Sequence, residues 1–167
     1  GQKIDINITG DVLSEENFGI YAASGLFSAG GGNVSITIDG DVTTLDDAHD
    51  AVHARSFDGS GDPGNITVNI KGGTIRGTED SVEIQDGLAN RLINSGTIVS
   101  DFATDRTAVR GGTGNETVDN YFDIVGNVDL GGGINRFNNW EESFFASGEV
   151  VNLGSDDNIL WNRGTLS

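Results

Sequence analysis

The sequence predicts an all-β solenoid, built of stacked coils of strand, and three observations carry that prediction. First, Ile4–Val12 (IDINITGDV), Val34–Val42 (VSITIDGDV) and Ile66–Ile75 (ITVNIKGGTI) align almost residue for residue. Second, Gly10 to Gly40 is 30 residues and Gly40 to Gly72 is 32, so one structural unit recurs. A fixed period of this size marks repeat architectures, in which each unit buries its neighbour's apolar edge. Third, apolar and polar residues alternate within each stretch, the period-two signature of a half-buried strand.

The first strand of the unit places Ile4, Ile6 and Ile8 on one side, as it does Val34, Ile36, Ile38 and Ile66, Val68, Ile70. The glycine after each run permits the tight bend that ends it. A second strand recurs downstream: Gly19–Ser24 aligns with Ala51–Ser56, and Ser81–Asp86 and Ala108–Gly111 continue the series. Its inward positions are Ile20/Ala22, Val52/Ala54, Val82/Ile84 and Val109/Gly111, and the small residues predict a narrow, flattened core. Phe57–Gly64 (FDGSGDPG) is a loop of turn formers. Leu45–Arg55 has a weak helical pattern, but its place in the repeat predicts turn, then strand.

From about Leu88 the unit shortens. The chain reads as one segment of roughly 5–7 coils at about 20–30 residues per coil. Residues 1–87 form the longer coils of about 30 residues, and residues 88–167 the shorter ones of about 19–26. Asn94, Asn120, Asn139 and Asn162 share one position in the shorter units, at spacings of 26, 19 and 23. Stacking would bring these amides into a structural ladder; the alternative is ordinary turn asparagines adopting left-handed backbone.

Net charge is −17, from 9 basic and 26 acidic residues. That charge repels phosphate backbones and anionic lipid, so neither nucleic acid nor direct membrane contact is expected of this segment. With no cysteine there is no disulfide framework, thiolate nucleophile or thiolate metal site. No apolar run approaches the roughly 20 residues of a membrane-spanning helix, and no N-terminal segment reads as a signal peptide.

The stretches NSGTI (Asn94–Ile98), GNVDLGGG (Gly126–Gly133), SGEVVNLG (Ser147–Gly154) and NRGTLS (Asn162–Ser167) recur in order over residues 88–167. This region resembles the passenger region of bacterial autotransporters of type V secretion; residues 1–87 share only the period. The resemblance implies a right-handed parallel β-helix at a Gram-negative cell surface or secreted from it. Signal peptide and outer-membrane barrel are expected to lie outside this chain, which does not begin with Met and is expected to be a piece of a longer protein. The implied function is adhesion or self-association without enzymatic activity or cofactor. The implied partners are a host surface protein or glycan, or the same passenger on another cell, so a homo-oligomer is an expected state.

Three constellations bear on chemistry. His49 and His53 in HDAVH mimic a zinc motif, but that motif needs one face of a helix. Along a strand the two histidines would stand about 13 Å apart, and no metal site is expected. Gly111–Asp119 (GGTGNETVD) fits the calcium nonapeptide except at Glu116, and its nearest follower, Gly131–Phe137, lacks carboxylates. Acidic turns at Asp58, Asp62, Asp156 and Asp157 are the remaining oxygen clusters. The third constellation is an outward stripe, in which Tyr21, His53, Glu83 and Arg110 share one position on successive coils, flanked by Arg55 and Gln85. Tyr and Arg are enriched at binding hot spots, and Glu83–Arg110 is expected as an exposed ion pair. The stripe is therefore the candidate binding face, against the alternative of a solvated sheet face held by cross-strand pairs. Two other readings stay open: a carbohydrate-processing β-helix enzyme, and a spacer holding a distal domain away from the membrane.

Overall fold

A computed structural model describes residues 2–25, 30–45, 48–57, 59, 63–100 and 107–167. The chain is all-β, with no helix among the described residues and therefore none to cross a membrane. Every strand pairing is parallel. One sheet has seven strands, in the order Ile4–Thr9, Val34–Asp39, Ile66–Gly72, Ala89–Asn94, Asn115–Asn120, Arg136–Asn139, Ile159–Asn162. Spatial order follows chain order, so each repeat contributes one strand. The residues aligned by the repeat are the residues paired: Ile4 with Val34 and Val34 with Ile66.

The second sheet has eleven strands, nine along one path and two, Phe144–Asn152 and Thr165–Leu166, stacked beyond Asp123–Asp129. In the long repeats it takes two strands from each unit, for example Val12–Ser14 and Ile20–Ser24, or Val42–Thr44 and Val52–Ser56. The insert between them vanishes at Asp123–Asp129. That one strand pairs at its start with Thr97–Val99 and at its end with Thr107–Arg110. Fusion of two strands into one accompanies the shortest repeat, the 19 residues from Thr117 to its partner Arg136.

Inward residues of both sheets form one hydrophobic cluster, with Ile36, Ile38, Ile66, Ile70, Ile75, Leu92, Ile98, Ile124 and Phe137 fully buried. Each such side chain contributes about 1.5–3 kcal/mol relative to exposure. A parallel sheet buried on its inner face needs this continuity, because slipping the register by one residue would turn every apolar side chain outward.

The glycine column differs from the simple alignment. The register slips after Ile38/Ile70, leaving Lys71 as an extra residue, so Gly73 rather than Gly72 stands over Gly40. Gly73 has φ +80°, and a Cβ there would collide with the Gly40 carbonyl, as one on Gly40 would with the Gly10 carbonyl. Close stacking of backbone turns, as well as φ, excludes side chains along this column.

One column changes chemistry along the molecule. Ile8, Ile38 and Ile70 are in register, and Asn94 stacks on Ile70. From there Asn94 Nδ2 donates to Asn120 Oδ1, Asn120 Nδ2 to Asn139 Oδ1 and Asn139 Nδ2 to Asn162 Oδ1, each at 2.8 Å. Asn94, Asn120 and Asn139 are wholly buried and each also donates to a backbone carbonyl at the following turn. The turn of the short repeats is thus held by a polar ladder in which every bond polarises the next.

Candidate functional site

The predicted stripe is a column in register: Tyr21 pairs with His53, His53 with Glu83 and Glu83 with Arg110. It runs on to Asp129 and then Asn152, which donates from Nδ2 to Asp129 Oδ1 at 2.9 Å. A second column, two residues before the paired Val52 and Val82, supplies Asp50 and Asp80, both 2% exposed. Each carboxylate accepts a backbone N–H from the next unit, Asp80 N donating to Asp50 Oδ1 and Thr107 N to Asp80 Oδ1, both at 3.0 Å.

These aspartates change the chemistry expected of the stripe. His53 is buried, with its Nδ1 2.8 Å from Asp50 and 2.7 Å from Glu83. Arg110 closes on Asp80 and Thr107 rather than forming the expected exposed pair with Glu83. Sequence alignment missed this because Asp80 lies just before the aligned stretch Ser81–Asp86, at the first residue of its strand, where its side chain reaches across to the next unit. Tyr21 alone of the four is strongly exposed, at 46%. Its ring stacks on His53, and Phe18 packs against Tyr21, His49 and His53. His49 lies before the strand Val52–Ser56, so strand spacing does not separate it from His53. Arg55 pairs with Gln85 in register but is held by Asp86 at 2.7 Å and lies over Phe57.

Burial alone would lower the His53 pKa, but hydrogen bonds to Asp50 and Glu83 outweigh it and raise it to about 9. Burial raises the Asp50 carboxyl to about 6, against the pull of His53. Glu83 is held below its ordinary range: burial works upward, and the His53 hydrogen bond and charge win. Ligand atoms of Asp50, His53 and Glu83 lie within 4.8 Å of one another, the one such group of three among the described residues. They have the geometry to hold a divalent cation, although the Nδ1 proton already joins both carboxylates.

The calcium-like stretch contributes no comparable cluster. Glu116 points inward, 2% exposed, with Oε1 accepting from Asn90 Nδ2 at 2.9 Å and Oε2 without a partner. Asp58 and Asp62 lie outside the described residues. Asp156 and Asp157 are exposed.

A second outward face, on the seven-stranded sheet, was not singled out from sequence. Arg91, Thr117 and Arg136 are in register, beside a column of Ile93, Asp119, Asn138 and Trp161. Asp119, 4% exposed, accepts from Arg91 Nε at 2.9 Å, Asn138 Nδ2 at 2.9 Å and Trp140 Nε1 at 3.2 Å. Burial would raise its carboxyl, but the bonds from Asn138, Arg91 and Trp140 hold it below the ordinary range. Arg136 is exposed and donates from Nε to Asn138 Oδ1 at 2.8 Å; among the described residues no carboxylate pairs with it. These side chains border a groove of about 540 Å³ that Asn115 also lines. Trp140 forms one wall, stacked on Tyr121 at 5.5 Å and edge-on to Trp161 at 4.7 Å. The sequence did carry a signal: Tyr121, Trp140 and Arg163 each follow a ladder asparagine by one residue, and Asp119, Asn138 and Trp161 each precede one. No family model matches the chain, and comparison with curated proteins and with solved structures returns no match.

Proposed function

We propose that the chain winds as a right-handed parallel β-helix, one coil for each strand of the seven-stranded sheet. It serves as an adhesive or self-association module in the passenger of a bacterial autotransporter, at the cell surface or secreted. The observation that carries this reading is a division of labour between outward faces. Saturated columns of paired side chains stiffen the rod, while one face leaves an exposed arginine and an aromatic wall around a groove.

Beads coated with the protein test the reading directly. They are expected to clump one another or to adhere to cultured epithelial cells at neutral pH. Beads that do neither, while the protein stays folded, would leave the rod as a spacer and overturn the adhesive function.

A further inference from the structure

The groove beside Arg136 has a chemistry that selects among ligands. In a chain with 26 acidic and 9 basic residues, most guanidinium groups would be expected to find a carboxylate. Arg91, Arg55, Arg110 and Arg163 all do. Among the described residues Arg76 and Arg136 do not, and Arg136 is fixed in place by Asn138, which is itself anchored on the buried Asp119. A planar fork held this way, with its remaining N–H groups exposed, is set to take a carboxylate in bidentate fashion. Arg91 stands two strands away on the same ladder, with only Thr117 between.

The rest of the lining favours a sugar over a peptide. Asn115 and Thr117 offer neutral donors and acceptors of the kind that pair with hydroxyls, and Trp140 supplies an aromatic border. Backbone N–H and C=O groups here are consumed by the parallel ladder, so a strand-like peptide finds no edge to extend. The net charge of −17 repels long polyanions, which restricts the ligand to an isolated negative group.

We propose that this groove binds a terminal carboxylate-bearing sugar of a glycan, its carboxylate on Arg136 and its hydroxyls on Asn115 and Thr117. This deepens the adhesive reading by naming a ligand class, and it rests on that reading only for where the glycan comes from.

Titration with sialyllactose, followed by ¹H–¹⁵N NMR and by Trp fluorescence, tests the site on the protein as it stands. The expected result is saturable shifts at the Trp140 indole and at Thr117 and Asn138, with Kd on the order of 1 mM, as befits one small sugar. Lactose should bind at least about tenfold more weakly, since a charged hydrogen-bonded contact is removed. Arg136→Ala should abolish the shifts, Arg136→Lys should restore them in part, and Arg76→Ala, outside the groove, should leave them unchanged. No shift at saturating sialyllactose overturns the proposal. So does equal loss in Arg76→Ala, which would mean diffuse charge attraction, or equal binding by a glutamate-rich hexapeptide, which would mean a protein carboxylate. The two readings fail separately. Sugar bound by a protein whose beads adhere to nothing removes adhesion and keeps the site; adhering beads with no sugar bound do the reverse.

Discussion

The two outward faces are built by the same rule and end in opposite states. On the eleven-stranded sheet the column from His53 through Glu83, Arg110 and Asp129 alternates in sign, and Asp50 and Asp80 close it from below. Every charge there is spent on a neighbour. On the seven-stranded sheet the column from Arg91 through Thr117 to Arg136 receives a single buried acid, Asp119, which Arg91 engages. Arg136 is left over. Register stacks side chains into columns, but whether a column is scaffold or site depends on whether its charges balance within it.

The sharpest way to break this comparison is Arg110→Ala. It strands Asp80, 2% exposed, without its guanidinium; because the Arg110 side chain is 37% exposed, the cost falls at the low end of that for a buried pair, about 3 kcal/mol. Urea unfolding should show a loss of that size. A loss below about 1 kcal/mol would mean that the column is as loosely coupled as an ordinary surface pair.

Glu116 is the next largest effect, and it has the opposite sign. Burial pushes its carboxyl up to about 7. A carboxyl with a raised folded pKa binds more protons native than unfolded, so stability falls as pH rises between about 4.5 and 7 and stays low above. Glu116→Gln should therefore stabilise the protein at pH 8 by about 2–3 kcal/mol. The gain should vanish below pH of about 4.5. Urea midpoints at the two pH values check it; a gain independent of pH would locate the effect elsewhere.

His53 gives a smaller, alkaline effect. With its pKa raised to about 9, its stabilisation is fully present below the unfolded value of about 6.5 and is lost as pH rises to 9. The loss should be on the order of 1–2 kcal/mol, because Asp50 and Glu83 share the same proton. His53→Gln should flatten the pH profile between 6.5 and 9. A variant retaining the wild-type slope would assign that slope to another group.

Smallest of all should be Arg136→Ala, an exposed substitution expected to change stability by less than about 0.5 kcal/mol.

Much of the fold could be read from period alone. Ile4, Val34 and Ile66 pair because a repeat written into the sequence becomes a register in the sheet. Lys71 shifts the glycine column because one inserted residue leaves the local motif readable while moving what stacks above it. The four asparagines at one position do form a hydrogen-bonded column. The stripe was legible as a column but not in its chemistry, since Asp50 and Asp80 lie ahead of the aligned stretches, two residues before Val52 and Val82. Asp119 falls one unit before Arg136 and Trp140, and although Asp119 and Trp140 each flank a ladder asparagine, only the register those asparagines fix brings the three together.

The most direct test sets Arg110→Ala beside Arg136→Ala, each measured for urea stability and, at a temperature where both stay folded, for sialyllactose binding. If one column is scaffold and the other site, Arg110→Ala loses stability and binds as the wild type does, while Arg136→Ala keeps stability and loses binding. Similar losses of stability in both variants, or binding that follows stability rather than position, would contradict the distinction.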